Sequence, residues 1–169
     1  MKIAKIIFRI TLFLTISGYA VFQRQVVDLT GVFQVDKYFR DTTIYLDVHH
    51  DDIERDCSIL EIDDFHRYVR GYENTGFAYN VYVKGGKVYI VHHLDAKGAH
   101  TEGYNSNTIG VCFHTADRND LATQIALILT LRYLMYRYDI PKDRVVGHRD
   151  LNSNTVCPNI DMDKLKKWL

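Results

Sequence analysis

Runs of β-forming residues alternate with helical runs along this chain, and this alternation limits the folds that it can adopt. The clearest unit is a pair of β-rich runs, at residues 77–84 and 87–92, joined by Gly85-Gly86. Tight hairpin turns need positive φ angles, which glycine adopts without steric cost, so the pair predicts a β-hairpin. Residues 43–49 and 108–114 predict two further strands, the second apolar enough to be central in a sheet.

Helical patterns separate these strands. The longest covers residues 119–138 and ends before Pro141, which cannot continue a helix. Its periodicity predicts a buried stripe of Leu121, Ile125, Ile128 and Leu129, broadened by Leu131, Leu134 and Met135. Shorter helices are predicted at residues 63–73 and at residues 163–169, the latter with Asp161 or Asp163 as N-cap, and a short strand at residues 144–147. The order predicts one α/β (α+β) domain with a central mixed sheet flanked by helices.

Composition narrows the function classes. The chain has 169 residues, a length typical of one domain that can bury its own core. Basic and acidic residues number 21 each, and this balance gives no support for a nucleic-acid partner. A polar but largely uncharged target, such as a glycan or a peptide, is compatible with it.

The first 22 residues differ from the rest. Lys2 and Lys5 precede an apolar run at residues 10–22, as in the basic and apolar regions of a signal peptide, and Ala20 offers a weak cleavage position. Counted from residue 6, the segment contains Arg9 and is short for a membrane span. We predict a signal peptide or membrane anchor at residues 1–22, rather than a buried amphipathic helix. Residues 23–41 are predicted to be a linker or a variable edge segment.

Histidine and cysteine in two segments are candidate zinc ligands, since neutral imidazole and thiolate bind this metal. His49 and His50 end the first predicted strand, and only one of them can face a given site because neighbours on a strand point to opposite faces. The second segment contains His148 and Cys157, with eight residues between them. A loop can bring this pair to one ion, but the spacing also suits an ordinary surface loop.

Four motifs resemble the type 2 N-acetylmuramoyl-L-alanine amidases, a family that includes phage lysozyme-amidases and peptidoglycan-recognition proteins. They are VHHDD (48–52), AYNVYV (78–83), GAHTEGYNSNTIGVCF (98–113) and GHRDLNSNTVCPN (147–159). Their order and approximate separation match the family, and the resemblance extends over residues 43–169. The resemblance implies that residues 42–169 form a zinc amidase domain that cleaves the bond between N-acetylmuramic acid and L-alanine in peptidoglycan.

The resemblance also implies roles for single residues. It gives Zn²⁺ as cofactor, with His49, His148 and Cys157 as ligands. Tyr79 and Thr155 match catalytic positions that stabilise the developing oxyanion, although some relatives carry lysine where this chain has Thr155. It implies further that His100 contacts substrate or orients another residue, with an ordinary loop histidine as the alternative. It leaves His50 as a second-rank substrate contact.

The sequence leaves two alternatives to an amidase: a binding module and an inhibitory partner. Family members that only sense peptidoglycan commonly lack the cysteine ligand, so Cys157 favours an enzyme over a binding module. An inhibitory partner of another enzyme is a further alternative that no feature of the sequence marks.

We expect no structural disulfide, because Cys157 is assigned to the metal and Cys112 to a buried strand. We also expect a monomer with a peptidoglycan or muropeptide substrate, no nucleic acid, membrane association only through residues 6–22, and export, anchoring or a role in phage lysis.

Overall fold

A computed structural model describes residues 25–33, 36–72 and 76–169 of the chain. Within those residues, six strands form one sheet: β1 (Val26–Asp28), β2 (Tyr45–His50), β3 (Val81–Lys84), β4 (Lys87–Ile90), β5 (Thr108–Phe113) and β6 (Val145–Gly147). The α-helices are α1 (Ile59–Asp64), α2 (Leu121–Tyr138), α3 (His148–Leu151) and α4 (Met162–Lys166). The predicted mixed sheet flanked by helices is therefore confirmed.

The order of the strands decides where functional side chains meet. The sheet runs β1-β4-β3-β5-β2-β6, and β3 and β4 form the predicted antiparallel hairpin. Its turn uses Gly85 and Gly86 at φ angles of 56° and 70°. The other neighbouring strands are parallel. The carboxyl ends of β2, β3, β5 and β6 therefore lie along one edge of the sheet, where ligands bind in many open α/β sheets.

The segment before β2 begins at the end of the sheet that is farthest from β6. Strand β1 pairs with β4, and Phe39 forms an isolated bridge with Ala96. The described part of residues 23–41 therefore supplies a strand at one end of the sheet. The predicted leader at residues 1–22 lies outside the described residues. Among the residues that are described, no helix has both the length and the apolar character needed to cross a membrane.

Helix α2 covers one face of the sheet and closes the larger core. Asp120 caps its start by accepting from the backbone N–H of Thr123 at 2.8 Å. The predicted stripe is wrong at Leu121 and Ile125, whose side chains are 69% and 46% exposed. The buried side of the helix instead consists of Thr123, Ala126, Leu127, Thr130, Leu131 and Leu134. Apolar residues occur around most of this helix, so periodicity could not select the buried side.

The other face of the sheet is covered by α1 and the turn that continues it. Ser58 and Glu61 form a reciprocal capping box, which starts the helix earlier than the predicted residue 63. The helix then widens into a π-helical segment, Phe65–Val69. In this segment His66 is buried and Tyr68 is exposed. π-Helical turns often occur beside functional sites, and the ring of His66 packs on Tyr79.

Candidate metal centre and active site

The parallel pairing of β2 with β6 brings two histidines to one place. His49 is the penultimate residue of β2, and His148 follows β6 directly as the first residue of α3. Val48 lies opposite Gly147 in the register of the two strands. The ring centroids of His49 and His148 are consequently 4.6 Å apart, although 98 positions separate these residues in the sequence.

A loop after α3 returns Cys157 to the same edge. The backbone N–H of Arg149 donates to the carbonyl of Cys157 at 2.8 Å. Pro158 packs so closely on Gly147 that a Cβ added to this glycine would lie 2.7 Å from the proline Cδ. The backbone N–H of His50 points at the Cys157 Sγ at 3.4 Å, a contact that favours the thiolate. The GHRD segment and the cysteine loop therefore form one folded unit.

The distances between the three side chains fit a tetrahedral metal ion. One ligand atom from each of His49, His148 and Cys157 lies within 4.8 Å of the other two. The His49 Nδ1 and the Cys157 Sγ are 3.7 Å apart. Zinc at ordinary Zn–S and Zn–N lengths of about 2.3 and 2.0–2.1 Å, with tetrahedral angles, would separate these atoms by about 3.6 Å. Three protein ligands leave a fourth position open, as in catalytic zinc sites.

The protonation states also suit a metal. Burial lowers the pKa of His49 and of His148, so both imidazoles are neutral and offer lone pairs at neutral pH. Burial raises the pKa of the Cys157 thiol to about 12. A buried thiol of this kind ionises when a cation replaces its proton, which is how metal binding becomes coupled to proton release.

Tyr79 lies next to this group, two residues before β3. Its ring centroid is 5.0 Å from that of His49 and 5.5 Å from that of His66. Burial raises the pKa of Tyr79 well above its usual value, so the phenol stays protonated and can donate a hydrogen bond. Cys112 is fully buried on β5 beside it, in keeping with a core position.

Thr155 has a contact that its sequence position did not reveal. Its Oγ1 accepts from the backbone N–H of Cys157 at 3.1 Å. The hydroxyl therefore shapes the turn that presents the cysteine, and its own proton remains available to a further acceptor.

The sequence profile of one family, N-acetylmuramoyl-L-alanine amidase, matches residues 40–160, which include all three candidate ligands. The chain belongs to this amidase family. Peptidoglycan amidase or peptidoglycan-binding activity is the function class that this membership supports.

Individual relatives span the phage and animal branches of the family. An endolysin of Enterobacteria phage K11 is 26% identical over 121 residues, which cover 68% of this chain and 76% of the endolysin. Peptidoglycan-recognition protein LB of Drosophila melanogaster is 23% identical over 134 residues, covering 72% of this chain and 57% of that protein. Among solved structures, the N-acetylmuramoyl-L-alanine amidase LysC from Clostridium intestinale superposes with a TM-score of 0.69 at 22% identity, over 84% of this chain and 95% of LysC.

Two of the predicted substrate contacts have buried side chains. His50 points to the face opposite His49, packs beside Phe113 and has a side chain that is only 8% exposed, and its contact with substrate stays a prediction. The side chain of His100 is completely buried behind His49. Its position fits the orienting role that was the alternative for this residue.

A second group of Asp51, Cys57 and His114 has metal-like spacing but a different use. The side chain of Asp51 is only 2% exposed. Its carboxylate accepts from the following five donors: Tyr82 OH, His114 Nδ1, Ile53 N, Thr115 N and Thr115 Oγ1. Because these donors occupy the carboxylate, the group is a structural network that fastens the loop after β2.

Proposed function

We propose that this protein is a zinc-dependent amidase that hydrolyses the bond between N-acetylmuramic acid and L-alanine in peptidoglycan. The observation that carries the proposal is the convergence of His49, His148 and Cys157 at tetrahedral spacing. The two neutral imidazoles and the ionisable thiol suit zinc in their chemistry as well as in their distances. Membership of the amidase family supplies the substrate class.

Zinc, when bound by these three side chains, supplies a Lewis acid that activates water and polarises the amide carbonyl. The Tyr79 ring packs on His49 and His66, and this packing supports a role for its protonated phenol beside the proposed zinc site. We assign it the role of donor to the carbonyl oxygen, where negative charge develops during attack. Thr155 holds the backbone of Cys157 and adds a neutral donor at most.

The reaction is balanced by one water. Its oxygen bonds to the carbonyl carbon of the lactyl group, and the carbon–nitrogen bond of the amide breaks. The lactyl group, which stays on the glycan, becomes a carboxylate. The amine of L-alanine is the leaving group and receives both protons of the water. The two products are therefore a glycan with free lactyl groups and a stem peptide with a free amino terminus.

A second candidate is a module that binds peptidoglycan without cleaving it. Similarity to a peptidoglycan-recognition protein favours this alternative. Binding requires only a surface that holds the peptidoglycan, whereas the proposed hydrolysis also requires the complete ligand set and Tyr79.

Digestion of purified peptidoglycan by the full-length chain, with products identified by mass, separates the two candidates. We expect stem peptides with a free alanine terminus, lost with a chelator and restored by zinc. Cys157→Ser should abolish release, and Cys57→Ser is the matched control because Cys57 lies outside the proposed zinc site. Binding to the wall without release of peptide would instead establish the second candidate.

The place of action is a separate proposal. The basic and apolar start of the chain supports export or anchoring through residues 6–22, and the phage relatives suggest lysis of a host wall as the setting. Fractionation of a tagged full-length protein tests this, since purely cytoplasmic protein with an intact amino terminus would exclude export and anchoring.

A further inference from the structure

A buried carboxylate lies directly behind the proposed zinc site. Asp47 is two residues before His49 on β2, so both side chains point to the same face of the sheet. The Asp47 side chain is 0% exposed, and its Oδ2 lies 2.9 Å from the His49 Nε2. The other nitrogen of the same ring, Nδ1, faces the Cys157 Sγ. The His49 imidazole therefore lies between the Asp47 carboxylate and the proposed zinc site.

Two further residues hold the carboxylate in this position. The Thr101 hydroxyl donates to the Asp47 Oδ2 at 2.5 Å, and the His100 Nδ1 lies 3.3 Å from the same oxygen. His100 fits there because its neighbours are glycines. A Cβ added to Gly98 or to Gly110 would lie 2.6 Å from the His100 Cδ2.

Burying the Asp47 carboxylate on a central strand costs free energy that a purely structural role would not require. A buried carboxylate loses hydration, and an apolar residue on a central strand would avoid that loss. The Asp47 Oδ1 has no hydrogen-bond partner among the described residues. Within the described residues, His49, His100 and Thr101 all contact the other oxygen of Asp47, Oδ2. The geometry thus favours a role that is exerted through the His49 ring.

We propose that Asp47 is a positioning residue for the metal site, which accepts from the His49 Nε2–H and so directs the His49 Nδ1 lone pair at zinc. The inference rests on the proposed function, because it takes His49 as a zinc ligand. An N–H donated to a carboxylate fixes the tautomer and the orientation of the ring and makes the opposite nitrogen a better ligand. Thr101 and His100 fix Asp47 in turn.

The test is the zinc affinity of Asp47→Asn, measured on the folded apoprotein by competition with a chromophoric chelator. Loss of a partner of this kind typically weakens metal binding about 10- to 100-fold, and we expect that range here. Co²⁺ substitution gives a second readout, since the visible absorption of the Co²⁺ complex should shift when His49 is no longer held.

Asp51→Asn is the matched control. Asp51 is also a buried carboxylate bonded to a histidine, His114, but that histidine is not a proposed ligand. This variant should lose stability and keep the wild-type zinc affinity and Co²⁺ spectrum. Thr101→Val provides a milder perturbation, in case Asp47→Asn fails to fold. It retains every ligand and charge, removes one donor to Asp47, and should weaken zinc binding severalfold.

Unchanged zinc affinity in both Asp47→Asn and Thr101→Val would overturn the inference, as would an equal loss in Asp51→Asn. Two zinc ions per wild-type chain, one of them lost in Asp47→Asn, would also overturn it by making Asp47 a ligand. Wild-type hydrolysis is measured in parallel. A chain that binds one zinc but releases no peptide would contradict the proposed function and leave the role of Asp47 intact.

Discussion

Removing a single hydroxyl from Tyr79 should separate chemistry from folding in this protein. Tyr79→Phe keeps the ring that packs on His49 and His66 and deletes the proposed donor to the carbonyl oxygen. Loss of one such donor typically lowers kcat about 10²- to 10³-fold, which corresponds to about 2.7–4 kcal/mol. The hydroxyl otherwise interacts with the neutral thiol of Cys112, so the stability change should be about 1 kcal/mol.

Tyr82→Phe is the matched control, and the opposite result is expected. The Tyr82 hydroxyl donates to the Asp51 Oδ2 at 2.6 Å, and the side chain is fully buried. A hydrogen bond to a charged group contributes about 1.5–3 kcal/mol. For a chain of this size, that loss corresponds to a fall in Tm of about 3–12 °C. Turnover at a temperature where the variant is folded should stay near wild type, because Asp51 is not part of the proposed zinc site.

The assay measures zinc content, binding to peptidoglycan, initial rate of peptide release and Tm for both variants. Tyr79→Phe should retain one zinc and normal binding while its rate falls. Near-normal turnover in Tyr79→Phe would remove this residue from the mechanism. A loss of zinc would show that the hydroxyl supports the site structurally, which would equally refute the role assigned to it.

Three further predictions concern the ligands, the cysteine turn and acid sensitivity. The double variant Cys157→Ser, His148→Ala should contain no zinc by elemental analysis, and wild-type zinc content would exclude this site. Thr155→Val should lower turnover less than Tyr79→Phe does. It should also weaken zinc binding slightly, because it loses the contact with the Cys157 backbone; a titration of zinc measures this, and unchanged turnover together with unchanged affinity would contradict both roles. Burial lowers the pKa of His66 to about 4, so the folded chain binds its proton less readily than the unfolded chain. The free energy of unfolding should therefore fall by up to about 3 kcal/mol as pH drops from about 6.5 to about 4. Denaturant titrations of His66→Phe should show a shallower fall over this range, and an equal slope would refute the assignment.

The parts of the fold that sequence predicted are those with strong local signals. The glycine pair at positions 85 and 86 requires positive φ angles, and the hairpin follows from it. The ends of α2 were readable in the same way, from the proline after it and the polar residues before it. Its buried side was not readable, because Leu121 and Ile125 are as apolar as the residues that pack on the sheet. The packing partner, rather than the periodicity, decides which side is buried.

The site shows the same division. The ligand motifs at His49, His148 and Cys157 are visible in the sequence, and the parallel pairing of β2 with β6 brings them together. Asp47 is different, because it looks like an unfavourable residue in an apolar strand. Two signals were available for it: a carboxylate two positions before a candidate ligand, and glycines at positions 98 and 110 that leave room for a ring. Neither signal could be interpreted from the sequence alone, because the contact of His100 with Gly110 and Asp47 depends on how its loop packs on β5.

A titration of activity with zinc asks whether hydrolysis requires one zinc ion in this site. Metal-free protein is mixed with increasing zinc, and the rate of release of peptides with a free alanine terminus is measured at each ratio. We expect no hydrolysis without metal and a linear rise in rate that stops at one equivalent of zinc per chain. Hydrolysis by the metal-free chain, or a rise that continues to two equivalents, would contradict a requirement for one zinc ion.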